Sequence, residues 1–196
     1  MNVYDFDKTI FYPDSSFCFF FYCLRHYPRA VLRRSEEIVR FALRYARRAV
    51  STKELKEKLF AFLCDLPDPE ETVRRFWDER FSGVGRWYLA QKREDDLIIS
   101  ASPEFLVREA TGRLGVALLG TRMDMHSGRI EGENCHDAEK VKRFREAFPD
   151  GQIDAFYSDS FSDAPLARIA RQAWLVKKET LSPWPLDAEG KRKDRD

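Results

Sequence analysis

Two aspartates, Asp5 and Asp7, flank a single phenylalanine at the end of a short apolar run and are followed by Lys8 and Thr9. Such a run reads as a strand that delivers two carboxylates into a loop. Carboxylates this close repel unless a cation, a shared proton or water separates them. A solvated turn carrying two acids is the plain alternative. Three further segments place polar residues where phosphate chemistry needs them. Ser100 directly follows Leu97-Ile98-Ile99, and Lys140 falls in the first turn of a helix opened by Asp137. Asp159 and Asp163 come just after the run Ile153–Tyr157.

Each residue type suits a task in phosphoryl transfer. A phosphate ester needs its negative charge offset before an anionic nucleophile approaches. Magnesium does this with a few carboxylate oxygens and water; Asp5 and Asp159 supply carboxylates and Asp7 a backbone carbonyl. Lys140 adds a compact positive charge and the Ser100 hydroxyl a hydrogen-bond donor. Ser102 as cap and Pro103 in the first turn are expected to aim the amino end of a helix at the same spot, an anion site. Asp5 is then the group that attacks phosphorus, and Asp7 the acid that protonates the leaving alcohol and later deprotonates water. Asp163 suits orienting Lys140 or a metal-bound water, or capping the next helix.

The elements that must position these groups follow from pattern. Residues 1–12 hold one strand and its loop. Residues 13–82 carry almost no strand signal. Asp14 or Ser15 opens a helix to about Tyr27, and Pro28 with the basic segment Ala30–Val50 suggests a second. Ser51-Thr52-Lys53-Glu54 is a capping box opening a third, to about Cys64. Asp68-Pro69-Glu70-Glu71 opens a fourth. From Gly83, helices alternate with the runs Leu97–Ile99, Val116–Leu119, Ile153–Tyr157 and Ala173–Val176, with a hairpin expected over 121–133 turning at Ser127-Gly128. Alternation implies a Rossmann-like parallel sheet covered on both faces, where ligands gather at the carboxyl ends of the strands. The expected division is an α/β catalytic core of 1–12 and 83–185, an inserted helical cap of 13–82 that could act as a lid, and a disordered tail of 186–196.

Composition bounds the rest. The chain has 196 residues, with 34 Lys plus Arg against 33 Asp plus Glu, a net charge of +1 that exerts no global pull toward nucleic acid or membrane. The four cysteines show no paired spacing and read as buried thiols in a reducing compartment. The three histidines form no metal-ligand spacing. Asp5 and Asp7 interrupt any apolar leader, and Phe17–Leu24 is too short to span a bilayer, so a cytoplasmic protein is expected. The aromatic run Phe17–Tyr22 reads as cap core, with the alternative that one or two rings face the site. The arginines between 25 and 48 read as a solvated face, with attraction to a polyanionic substrate or an acidic lipid surface as the alternative.

Asp5-Phe6-Asp7-Lys8-Thr9, Ser100, Lys140 and Asp159-Ser160-Phe161-Ser162-Asp163 together resemble the four motifs of the haloacid dehalogenase superfamily. The surrounding "SASPEF", "LGTRMD…SGRIEGENC" and "YSDSFSDAPL" are similar to its phosphoserine phosphatase-like branch. The resemblance covers nearly the whole chain to about Pro185. It implies a magnesium cofactor held at Asp5, Asp7 and Asp159, catalysis by Asp5, Asp7 and Lys140, and an Asp163 that orients Lys140 or a metal-bound water. It also implies phosphate or substrate contacts at Thr9, Ser100, Ala101, Asp14 and Ser162. Thr9 would shape the loop after the acid/base, and Asp7, which dehalogenases of the superfamily typically lack, favours phosphate esters. Ser162 stands where many branch members have asparagine. Asp14 stands where phosphoserine phosphatases have a substrate-reading glutamate, though its position also suits a helix cap. The expected activity is hydrolysis of a small phosphorylated metabolite, phosphoserine-like compounds included, through an aspartyl-phosphate. Phosphotransfer on the same site and a catalytically idle phosphate-binding module are the rivals.

Overall fold

The computed structural model describes residues 1–185; the stretch 186–196, expected to be a disordered tail, lies outside the described residues. The sheet contains β1 (Val3–Tyr4), β2 (Leu97–Pro103), β3 (Ala117–Thr121), β4 (Ile153–Ser158), β5 (Ala170–Lys177) and β6 (Thr180–Pro183), in the order β3-β2-β1-β4-β5-β6. Every neighbouring pair is parallel except β5 and β6, which run antiparallel. The fold is therefore α/β with a largely parallel sheet, as the alternation of elements implies.

β1 sits centrally and is buried on both faces. Successive side chains of a strand point to opposite sides, so Val3 and Tyr4 join different cores. Val3 packs with Leu97, Ile99, Phe144, Phe156 and Leu166. Tyr4 joins Phe6, Phe11, Phe19, Phe76, Trp77, Leu106 and Val107. That second cluster draws residues from both the sheet and the segment inserted after β1.

The insertion comprises α1 (Ser15–His26), α2 (Pro28–Leu32), α3 (Ser35–Ala46), α4 (Thr52–Leu59) and α5 (Pro69–Arg80). Its helix starts have the expected caps. Asp14 accepts from the Phe17 amide at 3.1 Å, Ser51 and Glu54 form the reciprocal box, and Asp68 accepts from the Glu71 amide at 2.9 Å. The basic segment, expected as one helix, breaks into α2 and α3. Asp65 grips Arg33 at 2.6 Å and Arg34 at 3.0 Å, fixing the turn between them. α4 stops at Leu59, and a 3₁₀ turn over Ala61–Asp65 replaces its expected last turn.

The chain leaves and re-enters the sheet layer through two antiparallel segments. The Gly85 amide donates to the Ile10 carbonyl at 2.7 Å and the Tyr12 amide to the Gly83 carbonyl at 3.1 Å. Gly83 allows this closeness: a Cβ there would meet the Phe11 ring at 2.8 Å.

After the neck come α6 (Arg86–Gln91), α7 (Glu104–Leu114), α8 (Ala138–Ala147) and α9 (Ala164–Ile169). Four expectations need correction here. Ser102 and Pro103 do not cap and open α7; strand pairing of Pro103 with Thr121 carries β2 through both, and α7 starts at Glu104 without a side-chain cap. Asp137 precedes α8 but makes no capping bond, its backbone standing at φ 56°. Cys64 is exposed, unlike buried Cys23 and Cys135. The expected hairpin over 121–133 reduces to a bridge between Met123 and Ile130 around a turn at Asp124–Gly128. Among the described residues, no helix is long and apolar enough to cross a membrane.

Candidate active site

The carboxyl ends of β1, β2 and β4 meet at one cavity of about 520 Å³. Asp5 follows β1 directly, its amide held by the Tyr157 carbonyl of β4 at 2.8 Å. Lys140, in the first turn of α8, is buried and donates to Asp5 Oδ1 at 2.7 Å and to Asp163 Oδ2 at 2.9 Å. The Ser158 hydroxyl, at the end of β4, donates to the same Asp163 oxygen at 2.7 Å. Thr9 ties two motifs together: its Oγ1 lies 3.4 Å from Asp5 Oδ2 and accepts the Asp159 amide at 2.9 Å. Thr9 is fully buried, which fits a loop-shaping part.

Asp7 faces different partners. Its Oδ1 accepts from the Ser15 amide, at the start of α1, at 2.6 Å, and its Oδ2 accepts from the Ser102 hydroxyl. The Ser102 amide in turn donates to Ser100 Oγ at 3.0 Å, leaving the Ser100 hydroxyl hydrogen available to a ligand. The Ala101 carbonyl is pinned from two sides, by Thr121 Oγ1 at 2.6 Å and Lys56 Nζ at 2.9 Å. Lys56 reaches down from α4 and also donates to Asn134 Oδ1 at 2.8 Å. It thereby bridges the insertion to the carboxyl end of β2.

Burial sets the acidities. It raises Asp5 to about 7; the charges of Asp163 and Asp7 add to the rise while Lys140 opposes it. Burial and the neighbouring Asp14 charge raise Asp7 to about 6 against the bonds from Ser102 and Ser15. Asp159 is likewise raised by burial. Burial alone would lower Lys140, but Asp5 and Asp163 outweigh it and hold the ammonium above its usual range. Burial lowers Lys56 to about 8.

The site is thus short of positive charge: Asp5, Asp7, Asp159 and Asp163 all line it, and one oxygen of Asp163 is buried without a partner. This surplus of hard oxygen donors fits a divalent cation such as magnesium. Among the described residues, no three His, Cys, Asp or Glu side chains form a ready metal cage. A cation here would rest on few carboxylates completed by water, the manner magnesium favours.

The remaining expected residues also reach this cavity. Ser100, Ala101, Asp14 and Ser162 line it, as does His136. Asp14 does so while capping α1 and standing 3.7 Å from Lys8 Nζ. Sequence reasoning missed Lys56 and Asn134 and read Ser102 as a helix cap, whereas its hydroxyl donates to Asp7. A buried lysine in a chain segment crowded with cations carries no distinguishing signal. The wall contributed by the insertion is mostly apolar: Phe17, Tyr45, Leu55, Leu59 and Phe60.

Comparison with known proteins identifies the family and the fold. A curated relative, Protein CicA of Caulobacter vibrioides, is 38% identical over 81 residues, covering 38% of this chain and 36% of the relative. This match thus spans little more than a third of the relative's length. A crystal structure of a protein of unknown function from Bordetella pertussis Tohama I superposes with a TM-score of 0.69 at 20% identity, covering 88% of this chain and 87% of that one. A phosphoserine phosphohydrolase-like protein from Francisella tularensis gives 0.54 at 15% identity over 88% and 86% of the two chains. At these identities the two structures speak to the fold. The model of the haloacid dehalogenase-like hydrolases matches residues 3–168, which span all four polar segments. The chain belongs to the haloacid dehalogenase-like hydrolase family.

Proposed function

We propose that the chain is a magnesium-dependent phosphomonoester hydrolase in which Asp5 is the nucleophile and Asp7 the general acid and base. One observation carries the reading: two carboxylates a residue apart are held in different surroundings. Asp5 is paired with an ammonium, while Asp7 is turned to an amide and a hydroxyl. Groups so separated take separate roles.

Asp5, Asp159 and the Asp7 backbone carbonyl would hold the cation, which when bound offsets phosphoryl charge and favours ionised carboxylates. An Asp5 oxygen attacks phosphorus, the ester P–O bond breaks, and Asp7 gives its proton to the departing alkoxide. The resulting aspartyl-phosphate is opened by water, which loses a proton to Asp7 as it attacks. Phosphate leaves and Asp5 is regenerated. An acid near 6 suits this double duty around neutral pH. Lys140 keeps Asp5 in place and balances incoming charge, with Asp163 as its positioning residue. The Ser100 hydroxyl and the Ala101 region receive the phosphate oxygens. Residues 13–82 serve as a cap over the core of 1–12 and 83–185, excluding bulk water from the reaction.

The alcohol half of the substrate meets the insertion. Among the described residues that line the cavity there is no arginine to grip a carboxylate, and Asp14 already serves Phe17 and Lys8. These features favour an alcohol with apolar character over a phosphoserine.

The test is Asp5→Asn in a phosphate-release assay on an aryl phosphate. Turnover is expected to fall at least roughly 10³-fold with the circular dichroism spectrum unchanged. Chelation should stop the wild type and magnesium restore it. Substantial steady-state activity in the variant would refute the nucleophile assignment.

A further inference from the structure

The insertion carries apolar surface that nothing among the described residues covers. On α1, Phe17 and Phe21 stand one turn apart and are each more than half exposed; on α3, Val39 and Leu43 do the same. No residue of α3 is buried; Val39, Ala42, Leu43 and Ala46 share one apolar side, while Tyr45 turns toward α4, its hydroxyl 3.3 Å from Thr52 Oγ1. Exposed apolar strips of this kind mark interaction surfaces. Both helices border the cavity, because Phe17 of α1 and Tyr45 of α3 line it.

Charge accompanies the α3 strip. Arg40 and Arg44 flank it and Arg47 and Arg48 follow it, all exposed. Arg44 stacks over the Phe41 ring at 5.2 Å. Among the described residues none of these four forms an ion pair, whereas Arg33 and Arg34 are taken by Asp65 and Glu37 is taken by Lys58. An apolar face fringed by unpaired guanidinium groups is the pattern of a helix that lies in a membrane interface, where cations gain from anionic headgroups. A second copy fits less well. A two-fold contact would set this four-arginine fringe against its own image, with Glu36 as the one acid of α3 to offset it and Glu37 already engaged.

We propose that α3, together with Phe17 and Phe21, docks on an anionic lipid surface, and that the cavity draws from that surface a phosphomonoester whose alcohol is a lipid. The substrate class rests on the hydrolase reading above; the docking surface does not. The reaction is the same hydrolysis: water supplies oxygen and protons, the lipid keeps its hydroxyl, and inorganic phosphate departs. The apolar cavity wall accommodates the first part of the lipid alcohol while the tails stay in the bilayer.

The experiment uses the whole chain and two kinds of vesicle, phosphatidylcholine alone and phosphatidylcholine with one fifth dioleoylphosphatidate. In chelator, which prevents turnover, co-sedimentation is expected with the anionic vesicles and not with phosphatidylcholine alone, and to weaken as salt rises. The double variant Val39→Asp, Leu43→Asp should lose roughly tenfold or more of this association, with its thermal midpoint unchanged. Arg47→Glu, Arg48→Glu should lose it through charge alone. No co-sedimentation, equal binding to both vesicles, or a solution dimer that Val39→Asp, Leu43→Asp dissolves would overturn the docking surface. With magnesium, phosphate release from the vesicles supports the substrate class. Release from an aryl phosphate but not from vesicle phosphatidate overturns it. Binding without release from either substrate overturns the hydrolase reading, and the substrate class with it, while the docking surface stands.

Discussion

The Ser102 hydroxyl is the most direct control on the proposed acid, and Ser102→Ala removes it. Ser102 is buried and donates to Asp7 Oδ2, while the Ser15 amide donates to Oδ1. A hydrogen bond to a charged group contributes about 1.5–3 kcal/mol. At about 1.4 kcal/mol per pKa unit, its loss raises Asp7 by roughly one to two units, the lower end if water enters the space left by the hydroxyl. The donor step needs protonated Asp7, so kcat/KM falls on the alkaline side as Asp7 loses its proton. The relevant assay is the pH profile of kcat/KM for an alkyl phosphate, whose leaving group requires an acid. The alkaline limb is expected to move up by roughly one unit in Ser102→Ala and to return in Ser102→Thr. Both enzymes see the same substrate ionisation, so the difference isolates Asp7. An alkaline limb that stays put in Ser102→Ala would refute the assignment of Asp7 as the acid.

Stability should carry the same electrostatic signature. Asp5 and Asp7 have folded pKa values raised to about 7 and about 6, so the folded chain keeps protons that the unfolded chain releases near pH 4. The stability they contribute is present below that point and is lost as pH rises through their folded values. Metal-free protein should therefore show a falling thermal midpoint between pH 5 and 8, and magnesium should raise the midpoint more at pH 8 than at pH 5. A flat or rising midpoint in chelator would contradict the charge surplus. The insertion's anchor can be tested separately. Trp77 is fully buried, donates to the Leu106 carbonyl at 2.7 Å and packs against Phe6, Phe11 and Phe76. Trp77→Ala should cost about 3–5 kcal/mol in urea unfolding; a loss well below that would mean the insertion and sheet do not share a core.

How far the sequence was legible depends on whether a feature is local. Asp5 and Asp7, Ser100, and Asp159 with Asp163 each sit directly behind an apolar run, so strand direction alone brings them to one rim. Lys140 was legible through its place in the first turn of a helix. Ser102 was misread because Ser-Pro-Glu is also a helix-start pattern; pairing of Pro103 with Thr121, a long-range event, decided the matter. The edge strand β6 escaped for a different reason. It follows β5 through a two-residue turn at Lys178 and Glu179, both at positive φ, a turn usually signalled by Asn-Gly. Lys56 was illegible because its significance lies in two acceptors from remote parts of the chain, Ala101 and Asn134.

The contact between Asp7 and the Ser15 amide has one more implication. That amide belongs to the first turn of α1, the helix whose outer side bears Phe17 and Phe21. Any tilt of α1 that lengthens this 2.6 Å contact withdraws a donor from the carboxylate and makes Asp7 a weaker acid. On the proposed mechanism, proton delivery would thereby be geared to the posture of an outward-facing helix. A force applied at the rim of the molecule, by whatever rests against those two rings, would reach Asp7 through the Ser15 amide and through Ser16, whose hydroxyl lies 2.9 Å from that of Ser102.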